Sequence, residues 1–269
     1  FGLMGVLLAT PVIASAREIG LYIFRKLFDQ EPFEPTGTAQ TGIRIPGLIG
    51  GRKIDGVIFD LDGTITQLDF EAVDWMAHRT AWLGVLLSEP RRRRIAYRLM
   101  VKLESVINFT LNRLVLYERF NTLERFKPLF DQLRAYPAVD QDTLQPDVIP
   151  TLQYLQSEYK LAVVSTRERS AVDEILQRNQ LDPDRFQAIM TRENVRNLVP
   201  NNEAFVAATE LMDLEVENVL VVSDSDPFLR SGSATGMAAA GVLCGLSEEQ
   251  DIQSADIVVE TTADLSEWL

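Results

Sequence analysis

The chain has 269 residues, a formal net charge of −13, one cysteine and one histidine. That length allows one large domain, or two smaller ones, with a sizeable core, and such acidity argues against nucleic acid as a partner. The lone Cys244 excludes an internal disulfide and a cysteine metal cluster, and the lone His78 excludes a multi-histidine site, so any metal is expected to be a hard cation held by oxygen, such as Mg²⁺.

Residues 1–16 hold no charge, Arg17 and Glu18 interrupt, and Ile19 to Phe24 are again mostly apolar. Opening on Phe1 rather than Met, the sequence reads as a fragment whose upstream part is missing. Three readings of residues 1–24 stay open. They could be the end of a transmembrane helix, with Arg25 and Lys26 favouring a cytoplasmic downstream side. They could be a signal peptide from Met4 with Ala14-Ser15-Ala16 as cleavage site, although a basic start is missing. They could also be an apolar helix of a core or interface. The run Gly2 to Pro11, followed by a helix with a basic end, resembles the last membrane segment of autoinducer exporter-like permeases. That resemblance, over residues 1–30, implies a cytoplasmic catalytic domain tethered through residues 1–24 to the inner face of the cell membrane. Residues 31–51, with three prolines and five glycines, read as a linker, and a domain boundary is expected near Lys53. Residues 1–53 carry six Lys/Arg against four Asp/Glu and residues 54–269 twenty against thirty-five, so the acidity belongs to the larger, C-terminal portion.

Residues 54–62 read as a buried central strand that ends in two carboxylates, Asp60 and Asp62, followed by Gly63 and Thr64. Acids at such a position belong at the carboxyl end of the strand, over a crevice. Two of them can hold a divalent metal and divide the work of nucleophile and acid/base. Residues 70–136 then keep helical spacing, with Pro90 ending the first segment and Arg91–Arg94 opening the second. The arginine run reads as a solvated helix face or as a cationic lip, and His78 as a surface or partly buried residue rather than a catalytic one.

From Asp147 the pattern alternates. Helices are expected over 148–158, 169–180, 202–212 and 231–235, and strands over 160–166, 186–190, 219–223, 238–244 and 256–260. This alternation predicts a doubly wound α/β fold with a parallel sheet. Three of the apolar strands end in oxygen-bearing side chains: Asp60/Asp62, Ser165/Thr166 and Asp224/Ser225. In an open parallel sheet such ends share one crevice.

Asp60-Leu61-Asp62-Gly63-Thr64, with Ser165 and Asp224 each closing its own strand, resembles the haloacid dehalogenase-like hydrolase superfamily over residues 54–269. Spacing is nearest its phosphoglycolate phosphatase-like branch. The resemblance implies a Rossmann-like core domain, 54–69 and 146–269, interrupted by a helical cap domain, 70–145, that selects a small phosphorylated substrate. It implies that Asp60 attacks phosphorus to form an aspartyl-phosphate, that Asp62 is the acid/base, and that Ser165 hydrogen-bonds the phosphoryl group with Thr166 and Gly63 beside it. It implies Mg²⁺ bound by Asp60, the backbone carbonyl of Asp62 and Asp224. Two positions depart from the family pattern: Val199 stands where a lysine is usual, and Phe228 where a second acid is usual, with Asp226 two residues early. Losing one preorganised charge-stabilising donor costs on the order of 3 kcal/mol. The expectation is therefore a weakened phosphomonoester hydrolase or, alternatively, a degenerate domain regulating a permease.

Overall fold

A computed structural model describes residues 45–67, 74, 77, 78, 88–98, 143–197, 199–243 and 247–269. These residues fall within one compact unit, Arg44–Leu269. The apolar segment 1–30, most of the expected cap and Cys244 lie outside the described residues. Among the described residues no helix is long and apolar enough to cross a membrane.

The centre is a six-stranded parallel sheet. In chain order its strands are β3 (Gly56–Asp60), β4 (Lys160–Val164), β5 (Ala188–Met190), β6 (Val219–Ser223), β7 (Ala238–Val242) and β8 (Ile257–Val259), and in space they run β5-β4-β3-β6-β7-β8. Before them β1 (Leu48–Ile49) and β2 (Arg52–Lys53) form a small antiparallel hairpin at the end of the glycine-rich stretch. Gly47 N–H donates to the carbonyl of Trp268 at 2.8 Å, which ties this hairpin to the chain's last turn.

The apolar strand runs are what a sheet covered on both faces requires. Residues alternate between two cores: Val57 and Phe59 of β3, Leu161 and Val163 of β4, and Leu220 and Val222 of β6 point to one, and Ile58, Ala162, Val164, Val219 and Val221 to the other. Helices α2 (Val148–Glu158) and α3 (Arg169–Arg178) close the first face through Leu152, Leu155, Val172 and Leu176. Helices α4 (Glu203–Met212) and α5 (Asp226–Ser233) close the second through Phe205, Ala208, Met212, Phe228 and Leu229. The expected doubly wound parallel fold is thus the observed one. A further helix, α1, runs through residues 89–98, with Pro90 in its first turn, where a missing N–H costs nothing, and Arg91–Arg94 after it.

One helix departs from expectation. The short helix expected over 231–235 instead spans Asp226–Ser233, with Ser225 at its N-cap and Pro227 in its first turn. It packs close to β6: a Cβ on Gly232 would stand 2.5 Å from a methyl of Val221. The earlier start carries Phe228 into the core at 2 % exposure, where its ring meets Phe205 edge-on at 4.8 Å and 77°.

Candidate active site

Strand β3 lies between β4 and β6 with Phe59 level with both Val163 and Val222, so the three carboxyl ends open on one edge, where the strand order reverses. The first residues past that register are Asp60 to Gly63, Ser165 and Thr166, and Ser223 and Asp224. The sheet register therefore gathers groups more than a hundred residues apart.

Both oxygens of Asp60 are pinned. Its Oδ1 accepts from the N–H of Leu61 at 2.8 Å, and its Oδ2 accepts from the hydroxyl of Ser223 at 2.7 Å. Ser223 Oγ in turn accepts from the N–H of Ser225 at 3.0 Å, which fixes the direction of its own proton. Ser223 was not expected to take part. The only signal was its place as the polar residue closing an apolar strand.

Asp62 faces Arg167. The guanidinium grips it with two parallel hydrogen bonds, Nε to Oδ2 at 3.0 Å and Nη2 to Oδ1 at 2.6 Å. This fork-on-fork pair is the geometry for which arginine is suited. It lies at the mouth of the site, with the side chains 34 % and 43 % exposed. Ser165 is buried, and its Oγ accepts from the N–H of Arg167 at 3.2 Å, so its own proton can be donated to a ligand. Thr166 follows, half-buried.

Asp224 is buried beside the turn at Gly63. A Cβ on that glycine would meet Asp224 Oδ2 at 2.4 Å, and its φ of +74° is the left-handed conformation that glycine tolerates best. Asp224 Oδ2 also accepts from the hydroxyl of Tyr97 at 2.6 Å, and Tyr97 is itself buried on α1. The same helix docks through Arg98, which reaches Asp251 at 2.9 Å, and through Arg94 on Glu248. Arg93 pairs with Asp74 at 2.6 Å. The arginine run is thus part solvated face and part docking surface. His78 stays exposed, its Nδ1 against the carbonyl of Asp74.

The two departures become physical facts. Val199 packs against the second core; of the two nearby arginines, Arg192 pairs with Glu168, and Arg196 is exposed, its backbone N–H donating to Glu203 at 2.8 Å. Phe228 is core. Asp226 does not stand in for the second acid, since its Oδ1 accepts from the N–H of Ser254 at 2.8 Å and its Oδ2 from Arg230 at 2.9 Å.

Among the described residues no three His, Cys, Asp or Glu side chains cluster as a metal cage. Two carboxylates, Asp60 and Asp224, plus backbone oxygen remain. That donor set fits Mg²⁺, which keeps several waters and takes one or two carboxylates, and does not fit a cation needing a full protein shell.

Comparison with known proteins bears on the family and the fold. A family model described as haloacid dehalogenase-like hydrolase matches residues 54–233. A pyrophosphatase, PpaX, of Bacillus cereus is 25 % identical over 221 residues, covering 79 % of this chain and 95 % of its own length. Among solved structures, a hydrolase from Pseudomonas syringae superposes with a TM-score of 0.60 at 21 % identity, covering 79 % of this chain and 96 % of its own. A β-phosphoglucomutase-like protein from Thermotoga maritima does so with a TM-score of 0.52 at 19 % identity, over 80 % and 97 %. With the family model spanning both the β3 and the β6 ends of the sheet, this chain belongs to the haloacid dehalogenase-like hydrolase family.

Proposed function

We propose that the chain is a Mg²⁺-dependent phosphohydrolase acting on a small phosphorylated metabolite through an aspartyl-phosphate on Asp60. The observation that carries this reading is the meeting of Asp60, Asp62, Ser165 and Asp224 at the carboxyl ends of three adjacent strands. Asp60, held at both oxygens, is oriented to attack phosphorus. Asp62 protonates the leaving oxygen and then takes a proton from the hydrolytic water. Ser165 donates its hydroxyl proton to a phosphoryl oxygen. Asp60, the Asp62 carbonyl and Asp224 would hold Mg²⁺, which supplies the charge neutralisation that lets a carboxylate approach a phosphate dianion. We place the core at 54–69 and 146–269 and a substrate-selecting helical cap at 70–145. The relative named as a pyrophosphatase puts inorganic pyrophosphate, alongside phosphomonoesters, among the first substrates to try.

Phosphate release by the purified chain across such a panel, with and without Mg²⁺, tests the proposal. Asp60→Asn is expected to lower turnover by at least about a thousandfold, as loss of a nucleophile does. Absence of any Mg²⁺-dependent release above that variant would refute it. A second reading, a degenerate phosphate-binding domain with a regulatory role, is favoured by the packing of Val199 and Phe228 in the second core. It predicts binding of phosphorylated metabolites without turnover.

A further inference from the structure

A site with three carboxylates, Asp60, Asp62 and Asp224, has an electrostatic difficulty with a phosphate dianion, and the position of the usual lysine holds Val199. Charge compensation from the protein must come from elsewhere. Arg167 is a cation that the structure sets directly against this edge. Its guanidinium spans both oxygens of Asp62, and its backbone N–H holds Ser165 Oγ, so one residue touches two of the groups assigned to the phosphoryl site.

We propose that Arg167 binds the transferring phosphoryl group and supplies the positive charge that the family pattern would assign to a lysine at Val199. The inference rests on the phosphohydrolase reading for its catalytic part, and on the geometry alone for its phosphate-binding part. Three physical points support it. A guanidinium fork matches phosphate oxygens as well as it matches a carboxylate. An ion pair as open to solvent as Arg167–Asp62, its side chains 34 % and 43 % exposed, is held weakly, so exchanging one acceptor for another costs little. Five N–H donors also allow Arg167 to keep one hydrogen bond to Asp62 while turning others to phosphate, which would hold the acid/base in place as substrate binds.

The test uses the full chain with Mg²⁺ and reads two quantities, calorimetric affinity for inorganic phosphate and kcat/KM on the best substrate. Arg167→Gln is expected to weaken phosphate binding at least tenfold and to lower kcat/KM on the order of a hundredfold to a thousandfold. Arg167→Lys should retain part of both. Added guanidinium ion should rescue Arg167→Ala, a response that a merely structural role would not give. Thermal unfolding of each variant separates loss of fold from loss of charge. If Arg167→Gln stays within threefold of wild type in both quantities, the inference is overturned while the hydrolase stands. If wild type turns over nothing but Arg167→Gln loses phosphate affinity, the binding role stands and the hydrolase reading falls. If wild type neither binds phosphate nor turns over, both fall.

Discussion

The carboxyl ends of β3 and β6 are neighbours on one sheet edge, yet they divide their residues differently. After β3, Asp60 and Asp62 face the crevice, and the turn at Gly63 brings backbone against Asp224. After β6, Ser223 and Asp224 face the crevice, but helix α5 begins at once and Phe228 goes into the core against Phe205. One end keeps both of its acids at the crevice, whereas the other sends Phe228 into the second core. Two neighbouring strand ends on one crevice thus differ in how much of the chain that follows them goes into packing.

The strongest way to break that contrast is Phe228→Asp, which writes the acid back. The ring is 2 % exposed, and replacing a buried aromatic by an unpaired carboxylate should cost about 3–5 kcal/mol or more of stability, read by denaturant unfolding. Retained stability with raised activity would show that the core tolerates the acid and that Phe228 is not needed for packing. The contrast is sharpened at Ser223, the residue that joins the two edges by donating to Asp60. Ser223→Ala should leave the melting temperature within a few degrees and lower kcat about tenfold, the value of roughly one positioning hydrogen bond. An unchanged kcat would mean that Asp60 is oriented without the Ser223 hydroxyl.

A smaller effect belongs to the loop that lacks the lysine. Burial acts to raise the Glu203 carboxyl, but the N–H of Arg196 and the side chain and N–H of Asn197 outweigh it and hold the group below the usual glutamate value. A depressed folded-state value stabilises the protein above the unfolded-state value, and that stability is lost as pH falls through the folded one. Glu203→Gln should therefore cost about 1 kcal/mol near neutral pH, roughly 2–4 °C in Tm, with the gap to wild type narrowing in acid. A gap that is constant down to pH 3 would remove the carboxylate from the explanation.

The fold was legible because its strands are apolar runs closed by oxygen-bearing residues: Val219–Ser223 appears as expected, and α2 over Val148–Glu158 likewise. Convergence of Asp60, Ser165 and Asp224 followed from parallel topology alone. The start of α5 was missed although Ser225-Asp226-Pro227 carries the signals of a helix N-terminus. Arg167 and Tyr97 were missed for a different reason. Their partners lie 105 and 127 residues away, and no local pattern announces a pairing of that range. The arginine run looked like one feature, but helical spacing turns Arg93 and Arg94 to different partners, Asp74 and Glu248.

The strand order has a consequence for how the crevice is assembled. With β3 flanked by β4 and β6, the first acid of the site waits for partners synthesised about a hundred and then about a hundred and sixty residues later, and each pairing must pay loop-closure entropy before contacts return it. No contiguous fragment that stops short of β6 carries both Asp60 and Asp224. During refolding, the crevice should consequently be completed only when β6 pairs with β3, well after most helix has formed.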